Sequence, residues 1–90
     1  METRDKITEV TAEVVNLLLE KNDAYGDSAL HPVGIFSKGD AIASLSARID
    51  DKLMRIKNRG INDKTEDTVD DLIGYLILLK IAIRNSQDES

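Results

Sequence analysis

The sequence contains no cysteine, and only one histidine and one proline, among its 90 residues. Without cysteine the chain can form neither a disulfide framework nor a thiolate metal site, and nothing indicates secretion. No apolar run reaches the ~18–20 residues that cross a bilayer, and the charged segment 2–6 has no apolar stretch of the signal-peptide type. We therefore expect a soluble cytoplasmic protein with no membrane partner.

Negative charge outweighs positive charge. The chain has 12 Lys and Arg against 17 Asp and Glu, which gives a net charge of −5. A negative chain is not attracted to nucleic-acid phosphate or to anionic lipid, so nucleic acid is not the expected partner. At this length one domain is near the lower end of the sizes that bury most of their apolar surface, which favours association with a partner subunit.

Apolar residues recur at spacings of three and four along three segments, which predicts three helices and an all-α fold. The helices are predicted over residues 3–22, 40–58 and 64–84, and a long loop joins the first two. Residues 1–85 are expected to form a single helical domain, followed by a disordered polar tail over 86–90. The three apolar stripes are Ile7, Val10, Val14, Leu17 and Leu18; Ile42, Leu45, Ile49, Leu53 and Ile56; and Val69, Leu72, Leu76, Leu79 and Ile83.

Residues with helix-capping chemistry flank the predicted helices. Ser37 or Asp40 is expected to cap the start of the second helix, and Gly60 is expected to mark its end. The third helix is expected to open at Asp63 or Thr65. Acidic residues follow in its first turn, where the helix dipole favours negative charge.

The third helix is apolar around most of its circumference in the stretch YLILLKIAI, from Tyr75 to Ile83, where Lys80 is the only charged residue. A helix of this kind must be enclosed. Two other helices cannot cover it fully, which predicts a helical bundle formed by copies of the chain across a two-fold axis. The alternative is a tight three-helix monomer with some exposed leucines.

The stretch RIDDKLMRIKNR in the second helix concentrates basic residues. At about 100° per residue, Arg48, Asp51 and Arg55 fall within about 60° of arc, on a face opposed to the Ile49 stripe. One interpretation is a ladder of ion pairs within the helix, each contributing only ~0.2–0.5 kcal/mol. The other is that the two arginines and Lys52 bind phosphate oxygens while Asp51 ligates a divalent cation.

An acidic cluster, EDTVDD, opens the third helix. Asp67 and Asp71 share one face, and Glu66 and Asp70 share the flank on the other side of the apolar stripe. Carboxylates one turn apart repel each other, so a bound Mg²⁺ or a facing cationic group would relieve the repulsion. The helix dipole accounts for Glu66 and Asp67, which lie in the first turn, but less well for the other two. The predicted metal ligands are Asp51, Asp67, Asp70 and Asp71, with magnesium as the cofactor.

The predicted loop, DAYGDSALHPVGIFSKGD, is about twice as long as the ~2–8 residues that commonly join helices in a bundle, and such loops are usually functional. Lys21, Tyr25 and Lys38 could supply a cation, a stacking ring and a second cation to a nucleotide. Nearby glycines would let backbone N–H groups approach phosphate. The predicted ligand-binding residues are Lys21, Tyr25, Lys38, Arg48, Lys52 and Arg55.

Four blocks of the sequence, KNDAYGDS, PVGIFS, RIDDKLMRIKN and EDTVDDLIGYLILLK, occur in this order over residues 21–80. Together they resemble the small phage and prophage proteins grouped as the nucleotide-modification-associated domain family. The chain is also similar, more distantly, to the MazG-like all-α NTP pyrophosphohydrolases, in which carboxylates on helices hold Mg²⁺ against a nucleoside triphosphate. The resemblance implies a protein of the bacterial host cytoplasm whose partner is a small-molecule nucleotide.

Two functions follow from this resemblance. The first is Mg²⁺-dependent hydrolysis of a nucleoside triphosphate or a modified nucleotide. The acidic pattern departs from that of the hydrolases, because Lys64 stands where the first acid of a Glu-x-x-Asp motif ending in Asp67 would be. The second is binding of a nucleotide or cyclic oligonucleotide without reaction, as a sensor or as a phage sponge for a host signal. A helical interaction module with no small ligand is a third interpretation.

Overall fold

The computed structural model describes residues 2–26, 30 and 40–88. They form three α-helices, α1 (Glu2–Tyr25), α2 (Ala41–Arg59) and α3 (Thr65–Asp88), and no strand occurs in these ranges. The predicted all-α class and the three helices are confirmed. α1 and α3 each extend beyond the predicted ends at Asn22 and Arg84, and α3 takes in residues 86–88 of the segment predicted as a tail. Within the same ranges, no helix combines the length and the apolarity needed to cross a membrane.

Both ends of α2 are capped by the residues that the sequence predicts there. The Asp40 side chain accepts a hydrogen bond from the Ala43 N–H at 2.7 Å. At the other end Gly60 has a φ of 73°, in the left-handed region that favours glycine, and its N–H donates to the Ile56 carbonyl at 2.9 Å. The predictions for Asp40 and Gly60 are therefore confirmed, whereas Ser37 lies outside the described residues.

The turn that leads into α3 depends on Asn62 and Thr65. The Asn62 side-chain oxygen accepts the Lys64 N–H at 2.9 Å, and the Asn62 N–H donates to the Thr65 hydroxyl at 2.8 Å. The Thr65 hydroxyl in turn donates to the Gly60 carbonyl at 3.3 Å. Thr65 is the first residue of α3, but its hydroxyl bonds to Asn62 and Gly60 in the preceding turn, so the cap predicted at Thr65 does not form. Asp63, the other predicted cap, is exposed and makes no hydrogen bond within the described ranges, because Asn62 forms the Asx turn instead.

α3 is the central helix. It packs most extensively against α2 and also contacts α1, whereas the described backbones of α1 and α2 do not approach each other closely. α1 and α3 come together at Gly74, where a Cβ atom would lie 3.3 Å from Cδ1 of Leu18. The missing side chain of Gly74 therefore permits the close approach of the two helices.

The buried core is small. Among the described residues its apolar members are Val14, Leu45 and Ala82, one from each helix. The side of α3 that packs against the other helices carries the small residues Gly74 and Ala82, which are both buried. The position of the core therefore depends on close backbone approach to α3 more than on large side chains from it.

Much of the predicted apolar stripe of α3 faces solvent. Val69, Leu76 and Ile83 are 41%, 51% and 42% exposed. The described residues thus leave part of the apolar third helix exposed, and association of copies stays a prediction. Large apolar side chains are also exposed on the other two helices, at Ile7, Val10, Val15, Leu19, Leu53 and Met54.

Replacement of Asp40 tests the start of α2. Asp40→Ala removes the acceptor for the Ala43 N–H and should lower the free energy of unfolding by about 1 kcal/mol, which denaturant titration followed by circular dichroism measures. Asp40→Asn is the matched control, because asparagine caps helices about as well as aspartate. Equal losses in the two variants would show that the cap does not determine where α2 begins.

Candidate functional site

An ion-pair cluster joins the three helices. The Asp71 carboxylate on α3 accepts a hydrogen bond at Oδ1 from Nζ of Lys21 on α1, at 2.8 Å. Its second oxygen, Oδ2, lies 2.9 Å from Nζ of Lys52 on α2. The Lys52 and Asp71 side chains are 15% and 22% exposed, and that of Lys21 is 48% exposed. One carboxylate thus connects two helices whose backbones do not approach each other.

The two ammonium groups stabilise the charged form of this carboxylate. Partial burial raises the pKa of Asp71, but the hydrogen bonds from Lys21 and Lys52 outweigh it and hold the pKa below its ordinary value of 3.8. The hydrogen bond to Asp71 raises the pKa of Lys21 above 10.5, against the opposing effect of burial. Both groups are therefore charged at neutral pH.

The cluster changes the interpretation of the acidic residues on α3. A repelling pair of Asp67 and Asp71 needs a cation nearby, and the structure supplies two, since each Asp71 oxygen has its own lysine. Asp51 and Asp67 are exposed, and Asp70 is half-buried. In the described part of the chain, no three acidic or histidine side chains are grouped so that they could hold a metal ion. The magnesium site stays a prediction.

A cleft of about 290 Å³ lies next to the cluster and is lined from all three helices. Arg48 reaches across it to α3, with its guanidinium carbon 6.0 Å from the centre of the Tyr75 ring, at the limit of a cation–π contact. Tyr25, at the end of α1, is exposed at this cleft. The full lining is Leu18, Lys21, Asn22, Tyr25, Arg48, Tyr75 and Leu78.

The basic residues of α2 lie in three different places. Arg48 lines the cleft, Lys52 pairs with Asp71, and Arg55 lines a separate, smaller pocket of about 50 Å³. Arg48 and Arg55 are both exposed on α2, but their side chains line different pockets, and that of Arg48 extends over Tyr75 of α3. Neither arginine forms an ion pair with Asp51 in the described ranges, so the predicted intrahelical ladder does not form there.

The structure therefore brings together three of the predicted ligand residues, Lys21, Tyr25 and Arg48, with Lys52 adjacent through Asp71. Lys38 lies outside the described residues. Asn22 and Tyr75 also line the cleft, although the sequence analysis does not predict them as ligand-binding residues. Tyr75 follows Asp71 by one helical turn and so shares its face, which is a signal that the sequence does contain.

Comparison of the chain with protein-family models, with curated proteins and with solved structures gave no match. The likeness to the nucleotide-modification-associated family stays a prediction from the sequence blocks. The functional argument consequently depends on the cleft and on the cluster beside it.

Replacement of Asp71 tests the cluster. Asp71→Asn leaves the partly buried Lys52 without its carboxylate and should lower the free energy of unfolding by about 1–3 kcal/mol near neutral pH. Because the folded pKa of Asp71 is lowered, its contribution is present above pH 3.8 and is lost as the pH falls through the folded pKa. The stability difference between wild type and variant should therefore shrink in acid, in denaturant titrations from about pH 7 to about pH 3.

Asp67→Asn is the matched control, since Asp67 is exposed one turn earlier on the same helix. It removes only a favourable charge near the N-terminus of α3 and should lower the free energy of unfolding by less than about 1 kcal/mol. An Asp71→Asn variant as stable as wild type, or more stable, would mean that the two acids merely repel each other and that the cluster contributes nothing.

Proposed function

We propose that the protein binds a nucleotide, or a similar phosphate ester that carries an aromatic ring, in the cleft between its helices. The observation that supports this proposal is the convergence of two cations and two tyrosines on one cleft. Lys21 and Arg48 provide the positive charge, and Tyr25 and Tyr75 provide the rings. In a chain with a net charge of −5, such a local group is a specific feature and not a general property of the surface.

Each part of a nucleotide has a chemical counterpart in the cleft. The guanidinium of Arg48 is suited to bidentate contact with phosphate oxygens, and the ammonium of Lys21 has further N–H donors beyond the one used on Asp71. The exposed ring of Tyr25 offers a stacking surface to a base. The cleft volume of about 290 Å³ is near the lower end for small-molecule sites. This volume suits one nucleoside unit, with the rest of the ligand in solvent.

The same geometry favours binding over hydrolysis. A magnesium ion at Asp71 would have to displace an ammonium group from a carboxylate oxygen, because both oxygens are already paired. The cluster instead holds Lys21 in place beside Tyr25. We therefore favour a protein that retains a nucleotide without reaction, as a sensor or as a sponge for a signalling nucleotide. If the protein hydrolyses a nucleotide in the presence of Mg²⁺, the hydrolase interpretation replaces this proposal.

Titration calorimetry with nucleoside mono-, di- and triphosphates and with cyclic dinucleotides tests the site. Tyr25→Ala should weaken binding of the best ligand by about 1–3 kcal/mol, roughly 5- to 150-fold, if a base stacks on the ring. Arg48→Ala should also weaken binding through loss of its phosphate contact. The matched control is Arg55→Ala, which removes a guanidinium of the same helix that lines the other pocket and should bind like wild type.

The titrations are repeated with Mg²⁺ and with EDTA, and mass spectrometry follows the nucleotide. We expect the same affinity in both conditions and an unchanged nucleotide. Binding that needs Mg²⁺, together with a cleaved product, would establish the hydrolase instead. Equal loss of affinity in the Arg48 and Arg55 variants would show that general charge, and not the cleft, holds the ligand.

A further inference from the structure

We infer that two copies of the chain associate through antiparallel pairing of their α3 helices, about a two-fold axis at Leu76. The surface that would pair is the outer face of α3, made of Val69, Ile73, Leu76, Ile77 and Ile83. At about 100° per residue these five positions lie within one half of the helix circumference. Four of them are exposed and Ile73 is half-buried, so the protomer leaves most of this face uncovered.

The exposed fractions of these side chains agree with an interface that lacks its partner. Leu76 is 51% exposed, and Val69, Ile77 and Ile83 are 41%, 37% and 42% exposed. Exposed apolar patches of several hundred Å² on a small protein commonly mark such an interface.

The spacing of the outer face fits a helix partner. Val69, Leu76 and Ile83 are separated by seven residues each, the repeat that keeps one seam in register between two paired helices. An axis at Leu76 places this residue against its own copy, and it places Val69 against the partner's Ile83. Because Val69 and Ile83 are equally far from Leu76, the contact between them forms twice in the pair, once on each side of the axis.

The charges along the same face select the antiparallel orientation. Glu66 lies on its N-terminal half, Asp70 lies at its edge beside α1, and Lys80 and Arg84 lie on its C-terminal half. The midpoints between Glu66 and Arg84, and between Asp70 and Lys80, both fall at Tyr75, one residue from the proposed axis. Antiparallel pairing therefore brings each acid near a base of the partner, and it also opposes the two helix dipoles.

The alternatives fit these charges less well. Parallel pairing would set each charged residue against its own copy, which is unfavourable. None of the four charged residues has an ion-pair partner within the described part of its own chain, so they are available to a second copy. Since the acidic and basic halves of this helix complement each other, a second copy of the chain suffices as the partner.

Such pairing would leave the nucleotide cleft open. Asp71, Tyr75 and Leu78 lie on the side of α3 that faces α1 and α2, opposite the outer face. Association and ligand binding would therefore occur on different sides of the same helix. For this reason the two proposals stand or fall independently.

Cysteine cross-linking tests the orientation, and the natural chain contains no cysteine that would interfere. Leu76→Cys should give a covalent dimer under mild oxidation, because the axis brings the two copies within disulfide distance. Val69→Cys alone and Ile83→Cys alone should remain uncross-linked, whereas an oxidised mixture of these two variants should form the mixed dimer. Leu19→Cys, an exposed leucine position on α1, is the matched control and should remain uncross-linked.

Light scattering of the wild type at micromolar concentration should give at least twice the chain mass of 10.0 kDa. A mass near 10.0 kDa, or no cross-link through Leu76→Cys, would overturn the proposal. Cross-linking of Val69→Cys to itself, with no mixed cross-link between Val69→Cys and Ile83→Cys, would overturn the antiparallel orientation. Circular dichroism of each variant confirms that its helices remain folded, so that a missing cross-link is informative.

Discussion

The sharing of one carboxylate between two ammonium groups is the interaction on which this arrangement of helices depends. α1 and α2 have no close backbone contact with each other in the described ranges, and both are tied to α3 at Asp71. If Asp71 paired with only one of the two lysines, the ammonium group of the other lysine would lack a counter-charge. Because Lys21 and Lys52 each pair with a separate oxygen, the cost of burying the charges is offset from both sides.

The cleft follows from the same geometry. Lys21 lies one turn before Tyr25 on α1, so its pairing with Asp71 also places that ring at the mouth of the cleft. Lys52 lies one turn after Arg48 on α2, and its pairing with the second oxygen brings Arg48 over Tyr75. The ion-pair cluster and the cleft proposed as a ligand site are thereby built from neighbouring turns of the same helices.

The sequence predicts the parts of this structure that depend on local chemistry. Asp40 and Gly60 delimit α2 because capping and a left-handed glycine are properties of a few adjacent residues. The partners of Asp71 are not predictable in this way, since Lys21 lies 50 residues away in the chain. The packed side of α3 is not predictable from its large residues, since they surround most of the helix. Gly74 and Ala82 lie inside, because small side chains allow backbones to approach.

The short turn from Gly60 to Lys64 gives the two halves of the molecule different folding behaviour. α2 and α3 are neighbours in sequence and form the more extensive helix contact, so their pairing requires little loop-closure entropy. α1 must return across a much longer segment to meet α3 at Gly74 and Asp71. We therefore expect the α2–α3 hairpin to form first. α1 would dock last and detach most readily, so its mobility would be sensitive to ionic strength in a way that the hairpin is not.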